Sequence, residues 1–160
     1  MSETALPSIR TYRDTSALIK ERVAGLTEEQ LEWKPAPDKW SIKEVAAHLV
    51  DSSLVHSVRI RKIVAESAPP LLQYDQDAWV TTSKANQTSL DDILTAFEAI
   101  LAYNVLFYER LTVQDWLKKG INSDKEISVS DLFHGFIKHV NTHLTQIERT
   151  RAALPAIAVT

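Results

Sequence analysis

Five histidines, His48, His56, His134, His139 and His143, are the side chains here best suited to chemistry. His139 and His143 stand four apart. On an α-helix that spacing puts them one turn apart and about 40° apart around the axis. Both fall in the stripe Leu132, Phe136, His139, Val140, His143 and Ile147, a core-facing pattern. Two imidazoles so placed can converge on one ion, and a buried pair needs polar partners that a shared cation would supply. An HxxxH pair is also compatible with hydrogen-bonded core histidines. His134 lies about 140° from His139 around the same helix, beside Ser130 and Lys138, and is expected in solvent.

A catalytic metal site keeps one position open and takes its third protein ligand from elsewhere. His48 and His56 are the candidates. They are eight residues apart, about 12 Å along one helix, which is too far for both to share an ion. If the helices carrying them and the HxxxH pair run parallel, counting rise from the helix starts brings His56 closer to the level of His143. On the residues alone the choice between the two stays open. There is no cysteine, so neither a thiolate ligand nor a cysteine nucleophile comes from this chain. Asp75 and Asp77 are candidate bases or solvated acids, and Asn104 and Tyr108 candidate pocket or structural residues. Gln146 is either a partner of the last histidine or an exposed helix former.

The elements that must position these groups are helical. The chain has only three glycines and six prolines in 160 residues, and long stretches contain neither. A first helix is predicted over Ser8 to Ala24, with Ile9, Tyr12, Ser16, Ile19 and Val23 at steps of three and four. Thr27 and Gln30 form a capping box for a short second piece, with Leu26 against Leu31, stopped by Pro35 and Pro37. Ser41 and Glu44 open the second long helix, with Trp40 stapled to Val45, and it ends before Pro69 and Pro70.

Residues Ala68 to Thr88 form a long connection, read as a functional loop, as a short unrecognised helix, or as a crossover that merely spans the bundle. The third long helix opens at Ser89, with Asp91 and Asp92 at its positive end, and continues through Leu111 towards an exit at Lys118, Lys119 and Gly120. The fourth opens at Ser128 with Asp131 in its first turn and Ile127 against Leu132, and runs to about Leu154 before Pro155. The expected architecture is all-α: one domain over residues 1–160, a four-helix antiparallel bundle with a short extra helix and a long connection between helices two and three.

Composition narrows the partners. A formal charge of −3 and a hydrophobic content of 44% describe a globular chain without a phosphate-tracking surface. The cluster Arg59, Ile60, Arg61, Lys62 reads as a solvated helix face, so no nucleic acid is expected. No apolar run spans a bilayer, and Met1 to Pro7 lacks the pattern of a signal peptide, so no membrane is expected and a cytoplasmic location is. Trp79 and Trp116 are read as interface residues or partly buried aromatics.

The segment from Trp40 to Asp51 (WSIKEVAAHLVD), preceded by Leu31 to Pro35 (LEWKP), resembles the start of the second helix in the DinB-like superfamily, which includes YfiT-like metalloenzymes. The closing segment His139 to Ile147 (HVNTHLTQI) is similar to that family's last helix. The resemblance covers nearly the whole chain, with the motifs in the family's order. It implies a four-helix bundle with one divalent ion, whether zinc, nickel or iron, on His48, His139 and His143. It thereby favours His48 over His56. It implies a metal-dependent enzyme of thiol-transferase or hydrolase type acting on a small-molecule substrate, since some family members use low-molecular-weight thiols. Pairing as a homodimer is a further implication. The other readings are a non-catalytic, metal-stabilised bundle serving as a stress-related binding module, and a helical interaction protein whose histidines bind nothing.

Overall fold

The computed structural model describes residues 8–156. The segment Met1 to Pro7, read above for a leader, lies outside the described residues. Four long helices carry the fold: α1 (Ile9–Val23), α3 (Ile42–Ala65), α5 (Leu90–Tyr108) and α7 (Val129–Ala152). Each starts at a serine whose place follows from helix-end chemistry, because the first N–H groups of a helix lack internal partners. The Ser8, Ser41 and Ser128 side chains accept from the backbone of Thr11, Glu44 and Asp131, the last two as complete capping boxes. The short helix α2 (Glu28–Glu32) carries the expected Thr27–Gln30 box. Its acids Glu28 and Glu32 both take the ammonium of Lys43, which is 1% exposed, and so tie α2 to the start of α3.

Side-chain pairs fix the helix directions. Along α3 the residues His48, Ser52 and His56 meet, in that order, His143 and His139, then His139, then Phe136. The two helices are therefore antiparallel. Tyr12 meets Phe133 and Phe136 while Arg22 meets Glu148, so α1 and α7 are parallel. Tyr12 also meets Asn104, and Lys20 meets Glu98, so α1 and α5 are antiparallel. Ser57 and Arg61 of α3 meet Asn104 and Phe107, with Leu54 and Val58 facing Ala99 and Ile100, so α3 and α5 are parallel.

This corrects the all-antiparallel expectation. Consecutive long helices α3 and α5 point the same way, so the chain must travel back along a helix about 36 Å long before α5 can begin. The long connection is that return path. It holds a helix of its own, α4 (Gln76–Ser83), capped by Asp75, and a single 3₁₀ turn at Ala85–Gln87. Leu71, Val80 and Ala85 anchor it in the core.

The second correction lies after α5, which ends at Tyr108 rather than reaching Lys118. A short helix α6 (Val113–Leu117) follows, with a Thr112–Asp115 capping box, and then an antiparallel hairpin of β1 (Lys119–Asn122) and β2 (Lys125–Ser128). Its two-residue turn places Ser123 at φ 61°, a conformation that suits tight hairpins. Gly120, read as a helix exit, is a strand residue packed against α3. A Cβ there would sit 2.8 Å from Ile63 Cγ1 and 3.1 Å from the Pro69 carbonyl. The strand also bridges back to the crossover, with Leu71 N donating to Ile121 O and Ile121 N to Pro69 O.

Arg59 to Lys62 is not a plain solvated face. Ile60 is fully buried, and Arg61 donates to Asn104 while covering the rings of Tyr103 and Phe107. Among the described residues no helix is long and apolar enough to cross a membrane.

Candidate metal centre

The α3–α7 seam brings His48, His139 and His143 together. His139 Nε2 lies 3.2 Å from His48 Nε2 and 2.9 Å from His143 Nε2. One ring nitrogen from each histidine lies within 4.8 Å of the others. His48 is 1% exposed, and the other two are half-buried. His56 stays outside the cluster. The rise count that favoured it supposed parallel helices, and the antiparallel seam reverses the count by carrying His56 away from His143 towards Phe136, 5.0 Å from its ring centre. His134 is exposed, its Nδ1 donating to Ser130 O.

The second atoms of the rings are also placed. His143 Nδ1 is 2.8 Å from Gln146 Oε1, an oxygen that can only accept, so the ring proton sits on Nδ1 and Nε2 keeps a bare lone pair. His139 Nδ1 is 3.3 Å from Ser52 Oγ. Trp40 stands over the site, its ring centre 4.8 Å from that of His48 and 6.2 Å from that of His143 in near-parallel stacking.

Burial keeps all three rings neutral. It pushes His48 down to about 3, helped by the neighbouring His143 and His139, and His139 down to about 4, helped by His143. Burial also lowers His143, against the opposing pull of Gln146. Neutral imidazoles are the form that binds metal.

This donor set fits a divalent ion. In a tetrahedral site with metal–nitrogen bonds of 2.0–2.1 Å, neighbouring nitrogens are about 3.3 Å apart, close to the 3.2 and 2.9 Å seen. Without a cation the arrangement is unfavourable. His143 Nε2 has no proton to give, and a single proton on His139 Nε2 can serve only one of its two neighbours. A cation would satisfy all three lone pairs.

The remaining candidates fall outside the cluster. Asp75 and Asp77 are exposed at the start of α4, and Asp75 Oδ1 accepts from Ala78 N as the helix cap. Asn104 and Tyr108 are core residues. Asn104 donates to Tyr12 Oη and Ser57 Oγ, and Tyr108 packs on Tyr12, Trp116 and Phe133. Trp116 is buried and Trp79 is exposed. Two contributors escaped the sequence reading. Ser52 had a readable signal, since it stands four residues after His48 on the same helix face. Trp40, read only as a staple, covers the histidines because it immediately precedes the α3 cap.

The sequence model described as the DinB superfamily matches residues 11–147. A Bacillus licheniformis protein named "Putative metal-dependent hydrolase" is 24% identical over 136 residues, 84% of this chain and 77% of that one. YfiT of Bacillus subtilis carries the same name and is 21% identical over 141 residues, 87% of this chain and 79% of its own. The solved structure of Bacillus subtilis YfiT, described as having "an unusual four-helix bundle topology", superposes with a TM-score of 0.85 at 17% identity. The match covers 96% of this chain and 92% of that one.

Proposed function

This chain belongs to the DinB superfamily, and on that premise we propose that it is a metal-dependent enzyme in which His48, His139 and His143 hold one divalent ion, whether zinc, nickel or iron. The observation that carries the reading is the convergence of three neutral imidazole nitrogens at 2.9 and 3.2 Å with the outer nitrogens of two rings already engaged. The names of the relatives support hydrolysis as the reaction class. Transfer of a low-molecular-weight thiol to a small electrophile is the companion possibility, since a cysteine-free chain must take a nucleophilic sulfur from outside.

When bound, such an ion supplies Lewis-acid chemistry, acidifying a water or thiol and polarising an acceptor carbonyl. The chain's own residues do the rest. Gln146 holds the His143 proton on Nδ1, Ser52 fixes the His139 ring, and Trp40 limits water on the side where it stacks. Such partners of a ligand ring raise its basicity and orient it.

One observation favours a second reading. The sequence's candidate bases, Asp75 and Asp77, are surface acids at a helix start, which suits a metal-stabilised binding module. The two readings separate in one experiment. Untagged protein is assayed for metal by elemental analysis, then offered thiols with electrophiles, and esters and amides. Turnover lost in a folded His143→Ala variant supports the enzyme. Stoichiometric metal that only raises the melting temperature, with no turnover, supports the module. Absence of bound metal ends both.

A further inference from the structure

Beside the histidine cluster lies a cavity of about 280 Å³. His139 and Ser52 line its inner end, His56 and Arg59 continue it along α3, and Tyr74 and Phe136 form walls. His56 is 6% exposed, and its buried Nε2 has no hydrogen-bond partner. An unmatched buried polar atom is costly; Nε2 itself is closed to solvent, and the ring lines the cavity through its remaining atoms.

Arg59 stands three residues beyond His56, a spacing that puts neighbouring side chains on one helix face. Its Nε and Nη2 both donate to Leu72 O, at 2.9 and 2.5 Å, which pins the guanidinium against the crossover. The other guanidinium N–H groups meet no protein acceptor among the described residues, and Arg59 forms no ion pair there. Asp131 also lines the cavity, but its Oδ2 accepts from Ser128 N and Ser128 Oγ at the head of α7.

The geometry points to a substrate-carboxylate site in this cavity, with Arg59 and His56 as its donors. A planar guanidinium fork held in place suits a carboxylate, and the imidazole beside it offers a further N–H. A single guanidinium matches the single charge of a carboxylate, and the Asp131 carboxylate that shares the cavity is already engaged by Ser128. The cavity opens against His139, so a carboxylate bound at Arg59 would direct the rest of its molecule to the cluster. The assignment rests on the proposed metal enzyme only in calling the bound molecule a substrate.

The test is NMR titration of zinc-loaded, isotope-labelled protein with butyrate and with its neutral isostere butyramide. Butyrate is expected to shift the His56 ring and Arg59 side-chain resonances saturably, and butyramide is not. Arg59→Gln is expected to weaken butyrate by about tenfold or more, the usual weight of a charge-assisted contact, and Arg59→Lys to keep part of the affinity. His56→Gln, expected to weaken binding too, serves if Arg59→Gln fails to fold. Equal binding of butyramide, shifts confined to His139 and His143, or butyrate affinity unchanged in Arg59→Gln would overturn the assignment. Metal content measured on the same samples separates the two proposals. Butyrate binding at Arg59 in protein that takes up no zinc supports this site and sinks the metal reading, whereas stoichiometric zinc with no butyrate response does the reverse.

Discussion

His143 Nδ1 lies 2.8 Å from the amide oxygen of Gln146, three residues further along the same helix, and this one contact decides which nitrogen of the ring can bind an ion. An acceptor oxygen at Nδ1 requires the proton there. Gln146→Leu removes the acceptor, frees the tautomer and lets the ring turn. Zinc affinity measured by chelator competition is expected to fall about 10- to 100-fold, with the helix content unchanged. An affinity within twofold of the parent would show that Gln146 is only a surface residue.

His139 is the middle member of the cluster, in contact with both other histidines. His139→Ala should reduce zinc from one ion per chain to none detectable. It should also abolish the rise in melting temperature on adding zinc. At free zinc 100 times the dissociation constant, the parent should gain about 2.7 kcal/mol, roughly 5–10 °C for a chain of this size. An equal zinc response in the variant would remove the histidine cluster from consideration.

Acid should weaken the metal-free fold in a defined window. In the unfolded chain imidazoles take protons near pH 6.5. In the folded chain His48 and His56 resist to about 3 and His139 to about 4, chiefly because burial penalises the charged ring. The unfolded state therefore binds more protons between those limits, so the contribution is fully present above pH 6.5 and is lost as the pH falls. Thermal unfolding of metal-free protein should give a level melting temperature above pH 7 and a progressive fall below 6.5. A melting temperature that rises on acidification from 6.5 to 4 would contradict the buried, neutral state of these rings.

Gly120→Ala tests the hairpin. The new Cβ would press on Ile63, Leu71 and the Pro69 carbonyl, the last a backbone atom that cannot simply rotate away. Destabilisation of roughly 1–3 kcal/mol is expected, the usual cost of overpacking. It should show as a lower urea midpoint with an unchanged slope. A neutral result would mean that the crossover yields easily at this point.

Much of this structure could be read from residue order because helix ends are local events. The boxes at Thr27–Gln30, Ser41–Glu44 and Ser128–Asp131 each occur where a hydroxyl residue precedes an acid or amide by three, and each starts a helix. Thr112–Asp115 follows the same rule and was readable, but the apolar pattern through Leu111 masked it. The pairing of His139 with His143 was equally local. Helix direction was not, because nothing in the sequence of α3 or α7 records which way the other runs. That is why a count of rise misplaced His56. The hairpin was hidden for a related reason. Its strands are four residues each with few apolar positions, and they depend on Pro69, Leu71 and Ile63, some fifty residues earlier. The cavity needed four separate segments, α3, the crossover, β2 and α7, before it existed at all.

The crossover behaves like a bridge span resting on two piers. Leu71 and Val80 are sunk in the core, while every residue from 72 to 79 is exposed or half-exposed. That span supplies Leu72 O to Arg59 and Tyr74 to the cavity wall. Its side chains thus take little part in the core yet border the cavity beside His139. Exchanges there would reshape the cavity wall while the histidines, seated on α3 and α7, keep their positions.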